Sequence, residues 1–209
     1  LFISVIFAIG FDADGGAPIR QGVHIEWYRT VSPGNEGEVV FTWSDTRFGM
    51  RNIFSHKVNQ NGEMVWGQNG AIVTDLPGRQ EDPVSITDGS GGVFIAWVDY
   101  RFDAEGDIFL QHLDSDGNRL LDPNGIALAQ IEGKQITINM CTDSLGGAYI
   151  AWQDKRGGVD DDIYGTHVSF DHEIISPGSG VPIVIEGGNQ NAKTIEYAGN
   201  NDAFIAWAD

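Results

Sequence analysis

The sequence predicts an all-β fold, a β-propeller of four-stranded antiparallel blades with about 55 residues per repeat, in one domain over residues 1–209. Three observations predict it. Trp-x-Asp recurs at Trp43–Asp45, Trp97–Asp99, Trp152–Asp154 and Trp207–Asp209, in steps of 54, 55 and 55 residues. A period of that size marks one supersecondary unit repeated along the chain. Each unit carries about four short strand signals joined by hairpin turns, and no stretch shows the periodicity of an amphipathic helix.

The elements of one unit can be taken in order and labelled A to D. Strand A follows Gln80, Gln135 and Gln190, over Pro83–Thr87, Ile136–Thr142 and Lys193–Tyr197. Strand B ends on the tryptophan: Glu38–Trp43, Val93–Trp97, Ala148–Trp152, Ala203–Trp207. Its residues are β-branched, aromatic or small, as suits a sheet buried on both faces. The residue before each tryptophan is small (Thr42, Ala96, Ala151, Ala206), which lets a neighbouring layer approach. Arg47, Arg101 and Arg156 follow at a fixed distance, then a glycine- or acid-rich loop. Strand C opens at Asn52, Asp107 and Asp162 and ends in Asx-rich turns closed by Gly62 and Gly117. Gly70, Gly125 and Gly180 recur before strand D, near Ile126 in the second unit. A β-solenoid is the competing repeat fold, but its parallel coils leave no place for hairpin turns inside each unit.

The ends of the chain are out of phase with this frame. Val5–Gly15 aligns with a C strand and its turn, and the chain closes on a B strand at Asp209. The first C strand added to the last A and B strands would complete a fourth blade and close the ring. The alternative is a fragment of a larger propeller. The apolar stretch Leu1–Gly10 matches the C-strand template, and a signal-peptide remnant is its other reading.

Composition narrows the function classes. Thirty acidic and 12 basic residues give a net charge of −18, which argues against nucleic acid and anionic membrane surfaces as partners. The apolar opening, at ten residues, is too short to span a bilayer. Cys141 is the single cysteine, so no intrachain disulfide forms and the fold is held by packing and strand pairing.

The string Ile150-Ala-Trp152-Gln-Asp154-Lys-Arg156-Gly-Gly-Val-Asp-Asp-Asp162-Ile-Tyr164 resembles a repeat of secreted and cell-surface proteins of bacteria and archaea, reading A-W-x-D-x-R-x-G-x-x-D-I-Y. It is similar to propeller repeats of type IX-exported proteins and of surface-layer proteins with TolB-like propellers. The resemblance implies a propeller module outside the cell or on its surface, without a catalytic role. Asn52 replaces the usual acid in the first copy, and His172 replaces the turn glycine in the third.

Four sets of residues are candidate sites. Trp43, Asp45, Arg47, Trp97, Asp99, Arg101, Trp152, Asp154, Arg156, Trp207 and Asp209 are repeat positions; Asp and Arg two apart share a side of a strand and are expected to pair with each other. The B–C loops supply a ligand face of Phe48, Arg51, Phe102, Asp103, Glu105, Asp160 and Asp161. Asp160, Asp161, Asp162, Asp114 and Asp116 are hard oxygen donors that a Ca²⁺ ion would use, against a default of solvated turn residues. His112 and His167 occupy equivalent strand-C positions and are expected to pair with acidic neighbours, whereas His24 and His172 stand isolated.

No nucleophile elbow, zinc-protease helix, phosphate loop or sialidase turn is present. The expectation is therefore a non-catalytic extracellular propeller that binds a protein or glycan ligand or serves as a structural module, with no cofactor other than Ca²⁺. A glycan-processing enzyme is the alternative, and a self-assembling surface-layer or filament subunit is a third.

Overall fold

The computed structural model describes residues 4–5, 17–18 and 26–209. Two short strands, β1 (Ser4–Val5) and β2 (Ala17–Pro18), pair with each other. The first full sheet follows as β3 (Glu26–Pro33), β4 (Val39–Asp45), β5 (Asn52–Val58) and β6 (Ala71–Ile72). The second holds β7 (Gln80–Thr87), β8 (Val93–Asp99), β9 (Asp107–Leu113) and β10 (Ile126–Ala129). The third holds β11 (Gln135–Thr142), β12 (Ala148–Asp154), β13 (Asp162–Val168) and β14 (Val181–Val184). Finally β15 (Asn191–Gly199) and β16 (Asp202–Ala208) form a two-stranded sheet. Every pairing is antiparallel, and the one helical element described is a 3₁₀ turn at Asn35–Gly37.

Sequence order and spatial order coincide in each full sheet, as in a propeller blade. The first strands lie side by side, β3 against β7, β7 against β11 and β11 against β15, so they form the inner wall. The outermost strands are two to four residues long, which keeps exposed edges short. Among the described residues the ladders hold no pairing of β1 or β2 with β15 or β16. The ring closure expected from the chain's ends is therefore not among the pairings seen, and most of Leu1–Gly15 lies outside the described residues.

The blades bury one another's faces. All seven residues of β8 and all seven of β9 are buried, because a neighbouring blade covers each side. Phe94, Ala96, Val98, Leu110 and Ile150 pack between the second and third blades, and Ile53, Val73, Ile95 and Phe109 between the first and second. Trp43, Trp97 and Trp152 are at most 1% exposed, whereas Trp207, on a sheet with no third strand, is 47% exposed. The recurring glycine before the fourth strand now has a reason. Gly125 sits at φ +72°, and a Cβ there would lie 2.5 Å from the Trp97 ring. The indole fills the place a side chain would take, in a backbone region that glycine enters without strain.

Candidate functional site

The repeat signature is closed on itself. Trp97 Nε1 donates to Asp99 Oδ2 at 2.9 Å, and the Arg101 backbone N–H and Nε both donate to the same carboxylate. Trp43–Asp45–Arg47 and Trp152–Asp154–Arg156 repeat this arrangement. The arginines also donate to a carbonyl just before the fourth strand, at Asn69, Asn124 and Ser179. Burial pushes the Asp45 carboxyl up, but bonds from Arg47 and Trp43 outweigh it and leave it below its ordinary value. These carboxylates tie strands within a blade and present no open coordination.

The loop-tip residues are where the spacing put them. Phe48 is 54% and Phe102 60% exposed, each resting on a strand aromatic (Phe54 at 5.6 Å, Phe109 at 5.8 Å). Asp103 accepts the Glu105 and Gly106 backbone N–H groups and so caps its own turn. Asp160 accepts from Gly188 N–H, and the Asp161 N–H donates to Asn189. Asp114 accepts from the Asp116 and Asn118 backbone N–H groups in a turn of the second blade, apart from Asp160–Asp162 in the third. Among the described residues no three His, Cys, Asp or Glu side chains gather as a metal site.

The turns at the other ends of the strands hold the acidic partners expected of His112 and His167, and one contact the sequence did not suggest, between His112 and His172. His112 is fully buried; its Nε2 lies 3.0 Å from Asp88 Oδ2 and its Nδ1 2.8 Å from His172 Nε2. His167 pairs in the same way with Asp143 at 2.8 Å. His172 is thus not isolated. It sits at φ +67° where the other turns have glycine, and that left-handed turn carries its ring to the second blade. His24 is outside the described residues. Burial pushes the Asp88 carboxyl up, but His112, Ser90 and Gly92 hold it down at about 2. Burial lowers His172, and His112 adds to the shift. Cys141 is buried, and desolvation raises its thiol to about 11, so it is inert at neutral pH.

The inner wall carries a site that sequence inspection missed. In β7 the register with β8 slips: Glu81 pairs with Val98 and Val84 with Ala96, so Asp82 and Pro83 form a bulge, and both line a cleft shared with β11. Strand β11 repeats the slip at Thr137 and Ile138. Asp82 (φ 50°) and Thr137 (φ 54°) both occupy the left-handed region, unusual for an aspartate in a strand and strained for a β-branched threonine. Bulges of this kind re-aim side chains and are enriched beside active sites. Between the two bulges lies a cleft of about 490 Å³, with Asp82, Tyr100, Lys134 and Thr137 on its sides and Ile136 and Ile138 in its lining. Glu81 points away and is buried in ion pairs with Arg51 and, at 3.7 Å, with Arg79. Burial raises the Asp82 carboxyl above its ordinary value, against the pull of Arg51 and Arg79. Of the expected ligand-face residues, Arg51 is brought to this corner. The signal in the sequence was Pro83 directly after Asp82, since proline inside a strand marks an edge or a bulge.

No family model and no curated protein matches the chain. Solved structures do. An endo-arabinase from Bacteroides thetaiotaomicron VPI-5482 is similar over 87% of this chain and 69% of its own, at 15% identity and a TM-score of 0.54. A protein of unknown function from Dyadobacter fermentans DSM 18053 is similar over 90% of this chain and 64% of its own, at 13% identity and a TM-score of 0.52. A GH93 α-L-arabinofuranosidase of Fusarium graminearum, in complex with arabinobiose, is similar over 88% of this chain and 57% of its own, at 14% identity and a TM-score of 0.41. The chain therefore spans less than two thirds of two of these three. The fold that the endo-arabinase shares with it is the β-propeller.

The likeness to the endo-arabinase corrects the expectation of a non-catalytic module. It rested on missing linear motifs, and the same architecture carries an endo-arabinase. The physical reason is that a propeller gathers its inner-wall residues from the first strands of separate blades, about 55 residues apart, so no short motif need announce them. No helix among the described residues is long and apolar enough to cross a membrane.

Proposed function

We propose that this propeller processes a glycan, as a glycoside hydrolase acting on arabinan-like or related polysaccharides, with the inner-wall cleft as its site. The observation that carries this is Asp82: a carboxyl set by a strained bulge into a cleft between two blades, with its proton affinity raised by burial. Glycoside hydrolysis needs such an acid to protonate the leaving oxygen, and its affinity for the proton has to be raised for it to remain charged with one near neutrality. The fold shared with an endo-arabinase supports the reading. Tyr100 and the apolar lining at Ile136 and Ile138 offer a face on which a sugar ring can rest. The partner carboxylate that such chemistry uses, some ~5–9.5 Å from the acid, would come from another blade's first strand across the centre.

Placement outside the cell belongs to the same proposal, supported by the likeness of the repeats to those of secreted proteins. Reducing-sugar release from a panel of neutral and acidic polysaccharides tests it. Activity that falls at least ~100-fold in Asp82→Asn with an unchanged melting curve is the expected result. Neither hydrolysis nor binding of any glycan in the panel would refute it.

A further inference from the structure

The inference concerns the class of glycan and rests on the glycan-processing reading above. We propose that the cleft takes an acidic glycan, one with a carboxylate-bearing (uronate) sugar, and that Lys134 and Arg79 bind that carboxylate.

The protein carries 30 acidic and only 12 basic residues. Three of those 12 (Arg51, Arg79 and Lys134) gather at this one corner of the inner wall. They divide the work. Arg51 is committed to the buried Glu81 carboxylate. Arg79 stands 3.7 Å from the same carboxylate, but its guanidinium lies over the Tyr100 ring at 3.8 Å and its side chain is 44% exposed. It can therefore turn a face of donors to a ligand without leaving its aromatic seat. Lys134 is exposed and lines the cleft on the opposite side, on β11's approach.

The backbone beneath Lys134 is fixed. Its carbonyl accepts the Lys155 N–H at 2.8 Å, and the preceding Gly133 is at φ +105°, where a Cβ would lie 2.6 Å from the Lys155 carbonyl oxygen. The ammonium is thus presented from a pinned turn. Beside Lys134 the cleft is lined by the apolar side chains of Val84, Ile136 and Ile138, which match the face of a pyranose or furanose ring, by Thr137, and by Tyr100, which carries the Arg79 guanidinium. A sugar ring laid on that lining places a carboxylate substituent within reach of Lys134, with Arg79 behind Tyr100. Asp82, whose burial favours its neutral form, reduces the repulsion that an anionic ligand would otherwise meet there. The remaining negative charge of the molecule acts over distances that physiological salt screens beyond about 8 Å.

The test is isothermal titration of the whole chain with three oligosaccharides of equal length: an uncharged arabino-oligosaccharide, a uronate-bearing one and a sulfated one. Each is measured at two salt concentrations. The uronate ligand should bind about 10-fold more tightly than the neutral one, as one charge-assisted contact permits, and lose part of that preference at high salt. Lys134→Met should bring uronate binding down to the level of the neutral ligand with an unchanged melting curve, while Lys134→Arg retains the preference. Equal binding of uronate and neutral ligands would overturn the inference and leave glycan processing standing. Preference for sulfate equal to that for uronate would overturn the carboxylate assignment. Binding of none of the three, together with no hydrolysis or binding across the polysaccharide panel, would refute glycan processing itself.

Discussion

Asp107→Asn should make this protein more stable at neutral pH, by an amount that depends on pH. Asp107 opens β9, is 1% exposed, and no side chain donates a hydrogen bond to either of its carboxyl oxygens. Burial pushes its carboxyl up to about 6, helped by the charges of Asp103 and Asp99, while the Ile131 backbone and Arg101 pull the other way. The equivalent residue of the first blade is Asn52. Its amide donates to the Leu76 carbonyl at 2.8 Å and to Gln80 Oε1 at 2.9 Å, which joins the first blade to the second. A carboxylate at Asp107 cannot donate, and Gln135 Oε1, the counterpart of Gln80 Oε1, has no partner. The native state therefore takes up a proton at Asp107 more readily than the unfolded chain does. Stability from this group is fully present below the ordinary value of 3.8 and is lost as pH rises through about 6. The rise of 2.2 (6 less 3.8) corresponds to about 3 kcal/mol at neutral pH, an upper bound because the surroundings relax. Asparagine removes that cost and restores the donor, so at pH 7.5 the variant should gain about 1–3 kcal/mol, or roughly 2–10 °C in melting temperature. At pH 4 the gain should nearly vanish. Urea unfolding at the two pH values measures both. A variant less stable than wild type at pH 7.5, or a gain equal at both pH values, would refute this account.

Other outcomes follow from the same geometry. Gly125→Ala meets the Trp97 ring in a left-handed backbone and should cost roughly 2–5 kcal/mol by denaturant unfolding, whereas Gly157→Ala, with open space around it, should be within about 0.5 kcal/mol of wild type. Asp154→Ala strips Trp152 and Arg156 of their shared acceptor and should cost about 2–4 kcal/mol, because a buried N–H and a half-buried cation are left unpaired. Asp88 is held down at about 2, so its contribution is present above 3.8 and lost as pH falls. Between pH 5 and 2 the wild type should lose about 2 kcal/mol more stability than Asp88→Asn, read by urea unfolding at each pH.

The relation between sequence and site is uneven. Repeated tryptophans, small residues before them and turn glycines made the blades legible, because each is a local demand of a sheet covered on both faces. Strand boundaries came out short: the A strand of the second blade was expected from Pro83 and begins at Gln80, since pairing with β8 resumes on the far side of the bulge. His172 was read as isolated because its partner, His112, is 60 residues away and reached only through a left-handed turn. Asp82 went unnoticed for a related reason. Pro83 marks a bulge or an edge after Gln-Glu-Asp, but it does not tell a strained inner-wall carboxyl from an ordinary turn residue until the neighbouring blade supplies Lys134 and Thr137.

The sequence by itself determined the repeat unit, the order of strands within it, and the closure of each Trp-x-Asp-x-Arg set, because those depend on neighbours within one blade and on the period-2 geometry of a strand. Only the tertiary structure decided which side chains face the centre and which cleft they enclose. That depends on register slips and on contacts between first strands some 55 residues apart, where a two-residue bulge turns a carboxyl from one face of the sheet to the rim of the inner wall.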